Sequence, residues 1–165
     1  TPGLTAVRTR DEESWVQSSS TFQPIFTAAG RNLFGDRDVD QLDLSLRGTI
    51  TFTRTLSFQF FTQLFLAEGH YRSFRELSSP DDLAAYDFAS LPGYENPDFS
   101  RKILNANLVF RWEYLRGSTI YLVWTQERFG DDGFYGKPLS DKLGDLFRLP
   151  SDNVLLAKIS YWWSL

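Results

Sequence analysis

The sequence predicts an all-β fold, namely antiparallel up-and-down strands of a transmembrane β-barrel, read as the C-terminal segment of a larger barrel. Three observations predict it. Aromatic residues make up 16% of the chain, yet mean hydropathy is −0.30, so apolar side chains are interleaved with polar ones, as strands with two unlike faces require. Several segments alternate strictly between apolar and polar residues. The connections between them alternate between short and long, as in outer-membrane barrels with short periplasmic turns and long external loops.

Residues 42–53 give the clearest strand. Leu42, Leu44, Leu46, Gly48, Ile50 and Phe52 fall on one face, and Asp43, Ser45, Arg47, Thr49, Thr51 and Thr53 on the other; side chains alternate across a strand with period two. The segment matches the roughly 9–11 residues a tilted strand needs to cross a bilayer. Arg54 and Thr55 form a short turn into residues 56–67, where Leu56, Phe58, Phe60, Leu64 and Leu66 share a face and Phe61 and Phe65 interrupt the polar one. Residues 68–102 read as a long loop carrying Pro80, Pro92 and Pro97. The pattern resumes at 104–114 with Leu104, Ala106, Leu108, Phe110, Trp112 and Tyr114 on one face. A tight turn at 115–118 leads to 119–128, with Ile120, Leu122 and Trp124 aligned. A second long loop spans 129–153, and the last strand aligns Leu155, Ala157, Ile159, Tyr161, Trp163 and Leu165. Residues 41–165 thus read as barrel strands. Residues 1–40 read as further strand segments, at 13–20 and at 22–34 broken by Pro24, and a hairpin tip. Trp112, Tyr114 and Tyr161–Trp163 gather near strand ends, like an interfacial girdle.

Composition excludes other classes. Seventeen basic and 21 acidic residues give a net charge of −4, with no basic run, so nucleic acid is not an expected partner. With no Cys there is no disulfide framework or thiol nucleophile, and His70 alone makes no multi-histidine metal centre. No apolar run is long enough for a spanning helix. The sequence has no Met, which favours an internal or processed start and hence a segment of a longer barrel.

Candidate residues follow from the faces. Arg47, Arg111, Glu113, Glu127 and Lys158 sit on polar faces, where they line a lumen or form a charge ladder satisfying a polar interior. Ile159, Tyr161, Trp163 and Leu165 have the alternating apolar ending that barrel-assembly machinery reads. Asp36, Asp38 and Asp40 open like a calcium loop, but Gln41 and Arg47 hold the places that need Gly and Glu, leaving a solvated acidic tip. Glu68, His70 and Glu76 at the foot of a loop have no nucleophile spacing nearby, and Asp131-Asp132-Gly133 reads as a turn. Tyr86, Phe88, Tyr94, Phe99, Phe134 and Tyr135 place aromatics in the long loops, suited to stacking on a glycan, to plugging the barrel from within, or to packing the loops together. No catalysis, cofactor or metal is expected. The expected partners are the lipid bilayer and the remaining strands of the barrel, from the same or another chain. The alternative is a soluble antiparallel barrel or sandwich binding a small apolar ligand or glycan, with the leucine face turned inward.

Three stretches carry a resemblance: LDLSLRGTITFTRTLSFQFFTQLFLAEG at 42–69, continued by HYRSFRELSSP; NLVFRWEYLRGSTIYLVWTQ at 107–126; and LLAKISYWW near the end. From about Arg31 onward the chain resembles the C-terminal end of a family of large bacterial proteins. These join an N-terminal carbohydrate-binding β-sandwich of the family-nine kind to a C-terminal domain of unknown function expected to form an outer-membrane barrel. Members usually place Pro after the Tyr-Arg of the middle motif; here the turn reads Tyr114-Leu115-Arg116-Gly117. The resemblance implies a bacterial outer-membrane location and a structural or transport role.

Overall fold

The structure, a computed structural model, describes residues 1–17, 23–91 and 97–163. Its strands are β1 (Pro2–Trp15), β2 (Leu33–Thr53), β3 (Leu56–Ser79), β4 (Asp82–Ala85), β5 (Phe99–Leu115), β6 (Ser118–Asp132) and β7 (Asp152–Ser160), with one helix, α1 (Leu139–Arg148), between β6 and β7. They form one antiparallel sheet in the order β1-β2-β3-β5-β6-β7, with the short β4 continuing a hairpin from β3. The sheet does not close on itself: among the described residues β1 pairs only with β2, and β7 only with β6.

The up-and-down order expected from alternation is the order found. Residues 42–53 pair with 56–67, and 104–114 with 119–128. The 56–67 strand lies beside 104–114, with Phe58 opposite Phe110 and Leu64 opposite Leu104. Gly117 makes the tight turn at a φ of 76°, a left-handed conformation that glycine adopts without a Cβ penalty. A side chain there would also meet Trp162.

The strands extend well beyond the alternating segments. β2 has 21 residues and β3 has 24, so most of the segment expected as a loop at 68–102 is strand. Asp36, Asp38 and Asp40 are not a hairpin tip; they lie inside β2, facing arginines on both neighbouring strands. Asp36 pairs with Arg75 at 2.6 Å, Asp40 with Arg8 at 3.1 Å, and Asp38 with both Arg10 and Arg72. Likewise Glu68, His70 and Glu76 lie on β3, not at the foot of a loop. The segment before β2 is not a strand broken by Pro24 but isolated bridges, Gln17 to Pro24 and Phe26 to Asn32, around a turn. Residues 18–22, Pro92, Gly93, Tyr94 and Leu165, which figure in the expectations above, lie outside the described residues.

The small core sits at the loop end of the sheet. Val16, Leu33, Tyr71, Phe88 and Leu91 are buried together, flanked by Ile25, Phe74, Tyr86 and Phe99. Phe88 stacks on Phe74 with ring centroids 4.4 Å apart. The short 3-10 turn at Phe88–Ser90, capped by Asp87, thus fastens the first loop to the face of the sheet that carries Tyr71 and Phe99.

Candidate functional surfaces of the sheet

Cross-strand partners share a face, so the registers sort the side chains into two surfaces. One is apolar over half its height. Reading across the strands from the turn end, its rows are Trp112-Ile120-Ile159, then Ile50-Phe58-Phe110-Leu122-Ala157, then Gly48-Phe60-Leu108-Trp124-Leu155. Above these come Leu46-Thr62-Ala106-Gln126-Asn153 and Leu4-Leu44-Leu64-Leu104-Arg128. The residues expected on one apolar face (Leu44, Leu46, Phe58, Leu108, Phe110, Ile120 and Ile159) are therefore on one face. Most of it is uncovered among the described residues, with Leu46 47% exposed, Ile159 69% and Leu155 75%; only its upper edge, at Leu66 and Leu104, is buried.

The upper limit of this band is sharp and oblique. Above the uncharged Thr62, the first charged side chain of this face is Asp40 on β2 and Glu68 on β3, which face each other. On β5 it is Lys102, one row lower, and on β6 it is Arg128, two rows below Asp40. Two rows are about 13 Å along a strand at roughly 3.3 Å per residue, and three strand steps are about 14 Å across. The limit thus inclines at roughly 45° to the strands, close to the 35–45° at which strands tilt through a bilayer. Charges obey the same limit. Of the ion pairs among the described residues, only Arg111–Glu113, at 3.6 Å, is level with the band, and it lies on the opposite face.

That opposite face carries all five polar candidates. Arg111 is opposite Tyr121, which is opposite Lys158; Glu113 is opposite Thr119, and Glu127 opposite Asn105. Arg111 Nε donates to the Tyr121 hydroxyl at 3.2 Å, and Gln63 donates to Asp43 at 2.7 Å. Arg47 lies over the Phe61 ring at 5.1 Å, which explains the aromatic on a polar face. Val109, Val123 and Leu156 form one apolar row there.

The two long connections go to opposite faces. The first packs Phe88 and Leu91 beside Tyr71 on the polar face. The second, holding α1, packs on the other face above the apolar band. Tyr135 stacks on His70 with centroids 5.0 Å apart, so Phe134 and Tyr135 do not fold to the polar face as a plug. Sequence reasoning missed α1. Lys142 Nζ is 2.6 Å from Glu68 Oε1, and the Gly136 N–H donates to Glu68 Oε2 at 3.1 Å. Lys137 bridges Asp145, at 2.8 Å, and Asp132. Arg128 donates to the carbonyls of Phe147 and Leu149 at the C-terminal end of α1, where a cation also complements the helix dipole. Burial opposes ionisation of Asp132, but the hydrogen bond from Lys102 (2.6 Å), the Phe134 N–H and the charge of Lys137 outweigh it and hold the carboxyl below its ordinary value. The hydrogen bond from Lys137 likewise lowers Asp145.

At the turn end, Phe52, Trp112, Tyr161 and Trp163 are exposed. Tyr161 and Trp163 have centroids 6.0 Å apart, and the Trp162 N–H donates to Ser118 Oγ at 2.9 Å. Ile159, Tyr161 and Trp163 of the expected terminal signal thus lie on or just past the edge strand. No group of three or more metal-ligating side chains occurs among the described residues, and no helix among them is long and apolar enough to cross a membrane. A model of the family described as "Domain of unknown function (DUF5916)" matches residues 3–164, further toward the N-terminus than the resemblance from Arg31 implied. No curated protein and no solved structure matches the chain significantly.

Proposed function

This chain belongs to the DUF5916 family, a domain of unknown function, and from the face its sheet leaves uncovered we propose that it is a wall segment of a bacterial outer-membrane β-barrel, structural or transporting rather than catalytic. One observation carries the reading: a continuous apolar band, exposed on one face, with an oblique upper limit that every charged side chain of that face respects. A band of apolar side chains on the outside of tilted strands is what lipid selects. In this reading Leu44, Leu46, Phe58, Leu108 and Phe110 meet lipid. Arg47, Arg111, Glu113, Glu127 and Lys158 line the interior, and the long connections lie on the outer side of the cell. The aromatic cluster at the turn end supports the same orientation, since Trp and Tyr favour membrane interfaces. The remaining barrel strands and the assembly machinery are the partners this role needs.

A soluble sandwich would need a second layer over the apolar face, and a soluble barrel would need to close with that face turned inward. Fractionation of cells expressing the full natural protein separates the two. The membrane reading expects recovery with the outer membrane, extraction only by detergent, and a monodisperse particle only while detergent is present. A monodisperse protein in plain buffer would overturn it.

A further inference from the structure

The helix α1 has an arrangement that the wall role does not require. At about 100° per residue, Leu146, Leu139, Leu143 and Phe147 fall within one arc of roughly 100°, while Lys142, Asp145, Asp141 and Arg148 occupy the opposite flank. Docking on the sheet fixes which way each flank points. Lys142 reaches up to Glu68, and Asp145 joins Lys137 and Asp132, all in the charged rows. The apolar flank lies on the side of the band. Leu139 stands over a crevice of about 380 Å³ whose lining includes Ala6, Leu42 and Leu66, the topmost apolar row. Leu149 fits against Gly130, where an added Cβ would come within 2.5 Å of it.

Only part of the apolar arc is used by this docking. Leu146 is fully buried, but Leu139 is 50% exposed and Phe147 61%, and the neighbouring Phe134 is 65% exposed. An amphipathic helix whose apolar side exceeds what its own fold covers, held just above an uncovered apolar band, has the geometry of a helix lying in a membrane interface.

We propose that α1 is an interfacial helix, resting in the headgroup layer of the outer leaflet against the outside of the wall, with Leu139, Phe147 and Phe134 dipping toward the acyl chains. The occupant of this surface is lipid. The charge contacts to Glu68, Asp132 and Arg128 hold the helix at a fixed height, so it sets the depth of the wall in the bilayer. This inference rests on the membrane reading, and its test separates the two.

These residues contain no Cys, so in a background where any Cys elsewhere in the natural protein is replaced by Ser, each introduced Cys labels one site. Phe147→Cys, Asp141→Cys and Leu46→Cys variants of the full natural protein are labelled with an environment-sensitive fluorophore and placed in phosphatidylcholine vesicles. Nitroxide quenchers are carried either near the lipid headgroup or deep in the acyl chain. At 46 the deep quencher is expected to dominate. At 147 the shallow quencher is expected to exceed the deep one about twofold, as a helix buried roughly 5–10 Å at the boundary requires. At 141 only a water-soluble quencher acts. Lipid quenching at 46 but none at 147 overturns the interfacial helix and leaves the membrane wall standing. Absence of lipid quenching at 46 overturns the membrane reading, and the proposal with it. All three positions are exposed or half-exposed, so labelling leaves the packed side of the fold intact.

Discussion

Replacing Leu46 by Arg tests the apolar band where it is most consequential. Leu46 is three rows below Asp40, on the same face of β2. Each row is two residues, about 6.7 Å along the strand. At an inclination of roughly 45°, that is about 4.7 Å of height, so Leu46 lies some 14 Å below the first charged row in a band about 25 Å tall. On the membrane reading a guanidinium there is near the midplane and should cost roughly 2–4 kcal/mol, whereas Leu42→Arg, one row below Asp40, is near the interface and should cost about 0–1 kcal/mol. In water the order would reverse: Leu46, 47% exposed, would tolerate Arg within about 0.5 kcal/mol, whereas Leu42, partly buried in the crevice beneath Leu139, would cost more. The assay is reversible denaturant unfolding of the protein from lipid vesicles, comparing both variants with the parent. The gradient between the two positions carries the test. Equal values for Leu46→Arg and Leu42→Arg, within about 0.5 kcal/mol, would refute the assignment of this face to lipid.

Three further outcomes follow from the geometry. Glu68→Gln leaves Lys142 without its carboxylate where both side chains are largely buried, at a cost of about 1–3 kcal/mol to the docking of α1; amide exchange in residues 136–148 should accelerate about tenfold or more while the β2–β3 ladder stays protected. Gly69→Ala drives a Cβ into the Phe99 ring, which packs on the buried cluster of the first loop, and should cost about 1–3 kcal/mol, read as a lower denaturant midpoint with the same m-value. The depressed carboxyls of Asp132 and Asp145 contribute stability above the unfolded carboxylate value of about 3.9, and that contribution is lost as pH falls through their lower folded values; α1 should remain docked at about pH 5 and loosen only below about pH 4, seen as increased mobility of a label at residue 147.

Period-two alternation made the lower half of each strand legible, because there one face is uniformly apolar and only a strand sorts Leu42, Leu44 and Leu46 from Asp43, Ser45 and Arg47. It failed higher up for a physical reason. Asp36, Asp38 and Asp40 look like a loop when read along one strand, since three acids on one face are unfavourable alone. They become reasonable only beside Arg8, Arg10, Arg72 and Arg75 from the strands on either side, and that pairing is not visible along the chain. The arginine and lysine candidates on the polar face were legible because the registers preserve the alternation. α1 was hidden among Gly136, Pro138 and Gly144. A proline just before Leu139, then Leu143, Leu146 and Phe147 at helical spacing, was the available signal.

The open edges limit what the wall can be. β7 is exposed along its whole length and β1 along nearly all of it, and neither has a second strand partner among the described residues. In water such an edge is tolerable. In hydrocarbon each unsatisfied N–H or C=O costs several kcal/mol, which is why only closed barrels span a bilayer with strands. The path through this sheet has six strands, and the smallest membrane barrels have eight. On the membrane reading, β1 and β7 must therefore meet further strands, from the same natural protein or from another copy. The oblique band constrains them as well. Because its charged limit drops from β3 to β6 by two rows, a strand added beside β7 continues that slope only if its own apolar segment starts lower still relative to the pairing, while one added beside β1 must begin at or above the row of Arg8. On that reading, closure with any other stagger would put charged side chains into lipid, so the residues that bound the apolar band would also set the register in which the wall is completed.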